Sequence, residues 1–258
     1  MSGSSLRTES LRLFRVFISI GAVLIIWSVI SLVKVFPEAL FPSPWSVAKA
    51  FAELYRAGIL SKDFAVSLSR AVVGFVVGAG LGIVIGVITG RVYFFRTLMH
   101  PFLSIMRPIP AIALAPVAIV WFGIGEESKY FIISYTVFLS VWFNTHIGIE
   151  FVPSIYLKVS KILGVSKTRE FFTVILPAAA PHISTGLRLG ASLSLLSLVA
   201  AELTGASSGI GYRLQEARQY IRTDWMFAQL IELGVLGALV DTIFSRIAKR
   251  VVHWEQVS

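Results

Sequence analysis

Gly205 to Gly209 reads GASSG, which satisfies the G-x-S-x-G pattern of a serine hydrolase. A serine becomes a nucleophile only with a base within hydrogen-bond reach. In the topology set out below, His100, His146 and His182 fall at or near the cytoplasmic side and His253 beyond the last apolar run, while Ser207 is external. The stretch therefore reads as a flexible Gly/Ser turn. No G-x-x-x-x-G-K-[ST] occurs, so the chain has no recognisable phosphate-cradling loop. It also has no cysteine, which excludes disulfides, thiolate metal sites and a cysteine nucleophile. These residues assign no catalytic group, no cofactor and no metal. What remains is charge in apolar surroundings. Arg70, Arg107, Arg188, Glu202, Glu232 and Asp241 lie in or near long apolar runs, where burial is costly enough that such groups face a cavity or pair with one another.

The elements that must position these charges are membrane spans. Of 258 residues 56% are hydrophobic and 14% charged, against about 25% charged in an ordinary soluble domain. Four uncharged runs, residues 16–33, 71–90, 108–125 and 130–149, approach the roughly 20 residues that cross a hydrocarbon core as a helix. Two weaker runs, 183–203 and 225–247, carry Arg188, Glu202, Glu232 and Asp241 and are long enough if those charges face protein or snorkel. The fold class expected is all-α: a polytopic membrane protein of about six transmembrane helices. No small-residue cleavage site follows the first run, which is read as an uncleaved span.

With six spans, twelve Lys or Arg against four acids fall on the side of both termini, and eight against seven on the other. The Lys/Arg excess marks the cytoplasmic side, so both termini are expected there in a cell membrane. The net charge of +9 then requires no nucleic acid. The expected organisation is a cytoplasmic tail over residues 1–12, one transmembrane domain over 13–250 with a cytoplasmic loop at 150–182, and a cytoplasmic tail over 251–258.

Within the first external segment, Ser43 can cap a helix with Pro44 at its first position, and Val47, Phe51 and Leu54 share one face. Glycines at 74, 78, 82, 86 and 90 form one helix stripe where another backbone can approach closely. Pro101, Pro108, Pro110 and Pro116 require the third span to be bent or broken, which makes it a candidate for lining a pathway. Arg107 on that broken span is the charge best placed to face an anion. The freed carbonyls beside it, or an acidic partner, offer it a structural role instead, and structural pairing is the expected one. Arg188 and Glu202 stand with it as pathway or structural charges.

Residues 161–181, KILGVSKTREFFTVILPAAAP, are too polar to cross a bilayer. Pro153 and Ser154 can start a helix with Ile155, Val159, Ile162 and Leu163 on one face, and Gly164 is its expected left-handed stop. Ser166 can cap a second short helix carrying Phe171, Phe172, Ile175 and Leu176 and ending at Pro177. An apolar face rimmed by cations suits a lipid surface or a groove on another protein.

The pattern G-x9-[IV]-x-L-P, from Gly164 to Pro177, followed by PHISTGLRL, resembles the cytoplasmic coupling loop of ABC importer permeases. SLSRAVVGF, MRPIPAIALAPVAIVWFGIGEESK, VAAELTGASSGIGY and the closing VVHW are similar to permeases of the nitrate, sulfonate, taurine and bicarbonate group, over roughly residues 40–254. The usual Glu-Ala-Ala that opens the loop is replaced by Lys158, Val159 and Ser160, so no glutamate contact carries over. The resemblance implies a type I ABC importer permease that performs no chemistry itself. It implies docking on a separate ABC ATPase subunit through Val159, Ile162, Leu163, Gly164, Val165, Ser166, Lys167, Phe171, Phe172, Leu176 and Pro177. A second permease copy and an extracytoplasmic solute-binding protein complete the assembly, in membrane lipid. The binding protein is expected to meet residues 36–62 and 204–224. The implied solute is a small anion, with thiamine-precursor pyrimidines or other small organics as the alternative. A self-contained ion-coupled transporter or channel is the competing class; it calls for coupling acids at mid-membrane and, often, repeated halves.

Overall fold

The computed structural model describes the backbone of residues 3–251 and the side chains of residues 18–247 and of Arg250. Among these residues the secondary structure is helical: α1 (Gly3–Leu32), α2 (Pro44–Arg56), α3 (Ile59–Arg91), α4 (Tyr93–Met106), α5 (Ala115–Phe122), α6 (Glu126–Glu150), α7 (Ser154–Ile162), α8 (Lys167–Glu170), α9 (Leu176–Leu203), α10 (Ile210–Gln219) and α11 (Thr223–Val251). A 3-10 turn, Ala111–Leu114, precedes α5. A π turn, Phe171–Ile175, joins α8 to α9.

Four helical runs are long and apolar enough to cross a membrane: α3, α6, the continuous Lys167–Leu203 and Thr223–Ile247. α4 and Ala111–Phe122, bent by 96° at their break, make a fifth if the pair is one span. The remaining expected span falls on α1, whose described side chains from Ile18 to Leu32 form a shorter apolar helix. The proline-rich third span is thus broken as its composition requires, with residues 107–110 between the two pieces.

The chain packs as two compact units, one of residues up to Ser61 with Arg213–Ile231, the other of Lys62–Tyr212 with residues from Glu232 onward. In the first, Ser43 Oγ accepts the Ser46 N–H at 3.1 Å and Pro44 opens α2. Val47 and Leu54 are buried with Leu60 and Ala228, and Phe51 packs against them. Trp27 donates its indole N–H to the Pro42 carbonyl at 2.9 Å, and Thr223 Oγ1 donates to the Ala39 carbonyl at 2.9 Å. Arg222 holds both Asp224 and Glu53. The hydrogen bond to Asp224, and then that to Glu53, raise its pKa above the ordinary guanidinium value.

The second unit is organised on α6. Its neighbour α3 runs parallel to it: Gly74, Gly78, Gly82, Gly86 and Gly90 face Ile133, Val137, Val141, Thr145 and Ile149, each glycine meeting the residue one turn further along. A Cβ built at Gly78 would stand 2.5 Å from the Ser134 carbonyl oxygen, so the stripe is the surface of a close helix crossing, as its spacing indicates. α6 also runs antiparallel to α9. Gly148 meets His182, Gly186 meets Asn144 and Gly190 meets Val141, while Ile132 packs with Ala201. Val137, Val141 and Trp142 are fully buried.

Candidate functional site

The membrane-region arginines separate by what they touch. Arg70, on α3, is 2% exposed. Its Nε and Nη2 donate to the two carboxylate oxygens of Glu126 at 2.6 Å, and its Nη1 donates to Glu202 at 2.8 Å and to the Ser208 carbonyl at 2.6 Å. Glu202 also accepts from Ser67 Oγ and from the Gly211 N–H. Ser67 Oγ in turn accepts from Ile210 N–H, and Asp63 accepts from Gly209 N–H. The cluster gives the Arg70 guanidinium and the buried N–H groups of Gly209, Ile210 and Gly211 their acceptors, the condition under which buried charge is tolerated. Arg188 is less enclosed and pairs with Asp241 of α11 at 3.0 Å, both about half exposed. Arg91 and Arg96 pair with Glu170 and Glu150.

Arg107 is different. Among the described residues its side chain makes no ion pair and no hydrogen bond; its guanidinium carbon lies 3.6 Å from the centre of the Phe143 ring. At the break the Met106 carbonyl takes the Tyr135 hydroxyl at 2.7 Å. The structural pairing expected for Arg107 is therefore not what the geometry offers it. The guanidinium lines a half-open cavity of about 700 Å³ bordered by residues 107–112, α6 and α9. α6 lines it with Thr136, Ser140 and Asn144 at one-turn intervals beside Leu139 and Phe143; α9 lines it with Leu189, Leu193 and Leu196 beside Ser192 and Ser197. The break in the proline-rich span thus opens onto a cavity with a single cation in its lining.

At the other end of α6, the segment over residues 150–182 folds as a braced bend. Gly164 has φ +68°. Val165 N–H bonds the Ser160 carbonyl and Gly164 N–H bonds the Lys161 carbonyl, the paired closure of a Schellman turn. Ser166 Oγ accepts the Arg169 N–H at 3.4 Å, as its cap position implies. The bend hides polar groups and exposes apolar ones. Ser160 and Glu170 are buried, Ser160 Oγ donating to Glu170 at 2.5 Å and Arg91 to the same carboxylate at 3.1 Å. Ile155, Val159, Ile162 and Leu163 are exposed, Ile162 by 84%. Gly164, Ser166, Lys167 and Phe172 are exposed beside them, while Val165, Phe171, Leu176 and Pro177 are partly buried.

One expectation is corrected. The second helix does not end at Pro177 but runs on as Lys167–Leu203. The π turn explains this: Leu176 N–H reaches back to the Phe171 carbonyl, and the wider turn accommodates a proline that has no N–H to give.

The model of the family described as "Binding-protein-dependent transport system inner membrane component" matches residues 81–254. The chain belongs to that family. The putative aliphatic sulfonates transport permease protein SsuC of Bacillus subtilis (strain 168) is 36% identical over 91% of this chain and 85% of its own length. The taurine transport system permease protein TauC of Escherichia coli (strain K12) is 28% identical over 93% and 90%, and the nitrate import permease protein NrtB of Synechocystis sp. is 36% identical over 74% and 69%. The fold matches a structure of the MetNI methionine ABC transporter with TM-score 0.58 at 20% identity, covering 76% of this chain and 95% of that one. The chain is thus an all-α, multi-pass ABC transporter permease, and its family is one of transport permeases and not of enzymes.

For the permease, the GASSG stretch is a held loop. The N–H groups of Gly209, Ile210 and Gly211 are spent on Asp63, Ser67 and Glu202. Ser208 sits on Arg70 beside the start of α6, whereas His100 and His146, with rings 4.9 Å apart, lie twenty residues further along it, roughly 30 Å by helical rise. Among the described residues no histidine reaches Ser207. Sequence reasoning missed Glu170 as the hub of the bend; its only local signal was an acid among three cations.

Proposed function

We propose that this permease is the membrane-spanning subunit of an ATP-driven importer for a small oxyanion of the sulfonate, taurine, nitrate or bicarbonate kind. Two copies work with two ATPase subunits and an external binding protein. The similarity to sulfonate, taurine and nitrate permeases supports the solute class. The single observation that carries the mechanism is the braced bend at residues 154–177: an exposed apolar face on α7, fixed to the membrane helices through Ser160, Glu170 and Arg91. Such a face suits a groove on an ATPase subunit, and its bracing lets a displacement there move α3 and α9 as rigid bodies between inward-open and outward-open states.

In this reading the whole of residues 13–250 acts as one permease domain, and the termini and the 150–182 loop are cytoplasmic. Residues 36–62 and 204–224 face outward to the binding protein. Hydrogen bonds from Thr223 to Ala39 and from Arg222 to Glu53 support placing parts of those two segments on one side.

The test is uptake of ethanesulfonate or taurine into vesicles holding the complex with its ATPase and binding protein. Uptake is expected to require ATP. Leu163→Asp, which places a charge on the apolar face, is expected to reduce it at least about tenfold while the chain stays folded and inserted, because burying an unpaired charge costs far more than the ~1.4 kcal/mol of a tenfold effect. Uptake by the chain alone without ATP, driven by an ion gradient, would reject this reading in favour of a secondary transporter.

A further inference from the structure

Three features of the Arg107 cavity point to one kind of occupant. First, the cation is available. Arg70, Arg91, Arg96 and Arg188 all hold carboxylates, whereas Arg107 holds none among the described residues. The contact with Phe143 holds the guanidinium without consuming its N–H groups, which remain to bind two oxygens of one acid group.

Second, the polar groups of α6 are able to complete an oxyanion's shell. The Ser140 hydroxyl has no partner among the described residues, and Asn144 lies one turn along the same face, using only an amide N–H on the Ser140 carbonyl. Third, α9 supplies three leucines to the lining, Leu189, Leu193 and Leu196, among Ser192 and Ser197, and a cavity of about 700 Å³ exceeds what a bare inorganic anion needs.

We infer that this cavity is a solute subsite within the membrane, taking an organic monoanion by its oxyanion head at Arg107 and Ser140 and by an apolar chain along Leu189, Leu193 and Leu196. This rests on the transport reading above and narrows it. Of the small anions considered, an alkyl sulfonate uses both the cation and the leucines, whereas nitrate and bicarbonate have no chain to lay along the leucines.

The test reads binding and not uptake, so its failure is distinguishable from failure of the transport reading. The permease, purified with whatever subunits accompany it and placed in discs of zwitterionic lipid, is titrated with nitrate, ethanesulfonate and hexanesulfonate without ATP or binding protein. Expected is affinity that rises about threefold to fourfold per added methylene and that falls roughly 10- to 100-fold in Arg107→Gln, with partial retention in Arg107→Lys. Leu196→Gln, at an exposed position, is expected to erase the chain-length gain while sparing ethanesulfonate.

Equal binding by wild type and Arg107→Gln would overturn the inference. So would loss of assembly without ligand in both Arg107→Lys and Arg107→Gln, which would mark Arg107 as a contact between permease copies. Replacing part of the lipid with phosphatidylglycerol separates a lipid headgroup from a free solute. An Arg107-dependent melting shift from that lipid, with no response to any sulfonate, would assign the cavity to lipid and overturn the inference too.

Discussion

Arg70 and Arg107 belong to the same unit of the molecule, carry the same charge and border the same central helix, α6, yet they are built into opposite surroundings. Arg70 is 2% exposed and donates to two carboxylates and a carbonyl. Arg107 is exposed to a cavity and rests on one aromatic ring. The first arrangement is self-sufficient: the guanidinium is answered by carboxylates inside the protein, and an anion from solution could bind it only by breaking a pair. The second leaves its charge unbalanced by the protein. A membrane protein tolerates such a group where water or a solute supplies what the protein withholds. Burial with partners marks structure here, and exposure to a cavity without them marks an address for an anion.

The sharpest way to break this comparison is to remove each guanidinium in turn. Arg70→Met strands Glu202, itself 1% exposed, without its cation. Breaking a buried pair from one side costs about 3–5 kcal/mol, and the apparent melting temperature of the permease in lipid discs should fall accordingly. Arg107→Met should change stability by less than about 1 kcal/mol, since a half-solvated cation over one aromatic ring contributes on that scale. If the two variants melted alike, the division between structural and available charge would collapse.

A smaller effect sharpens the first half of the comparison. Glu202→Gln keeps the shape and one acceptor but removes the charge that Arg70 Nη1 and Gly211 N–H share. Hydrogen bonds to charged groups contribute about 1.5–3 kcal/mol, so a loss near 2 kcal/mol is expected, below that of Arg70→Met because Glu126 still balances the arginine. Hydrogen exchange should speed up at Gly211 before it does at Gly209, whose N–H is held by Asp63. Equal acceleration at both amides would mean that the loop is held by Arg70 as a whole and not by separate acceptors.

Much of the scaffold was legible along the chain, because it depends on local rules. The glycine repeat from 74 to 90 marked a close crossing, the prolines from 101 to 116 marked a break, and Gly164 and Ser43 marked a helix stop and a helix start. The roles of the charges were not legible. Arg70 meets Glu126 and Glu202 across separations of 56 and 132 residues, and no local pattern shows that it is paired while Arg107 is not. Glu170 likewise reads as a solvated charge until the bend brings Ser160 and Arg91 onto it. The run past Pro177 was missed for a related reason: a proline normally closes a helix, and the π turn that absorbs it has no signature in residue type.

The smallest expected effect falls on Phe143, and it tests the second half of the comparison from the side opposite the charge. The ring does nothing for Arg107 that a carboxylate would do better in energy; its advantage is that it orients the guanidinium without neutralising it. A cation over an aromatic face gains about 0.5–1 kcal/mol at an exposed site, so Phe143→Leu should leave the melting temperature nearly unchanged. It should weaken binding of ethanesulfonate about twofold to fivefold, because the arginine must then be ordered at the expense of the bound state. The Phe143→Tyr variant keeps the ring face and should bind like wild type. If Phe143→Leu instead bound sulfonate more tightly, the ring would be a competitor for the cation and not its support, and Arg107 in this structure would represent a closed-off charge awaiting release.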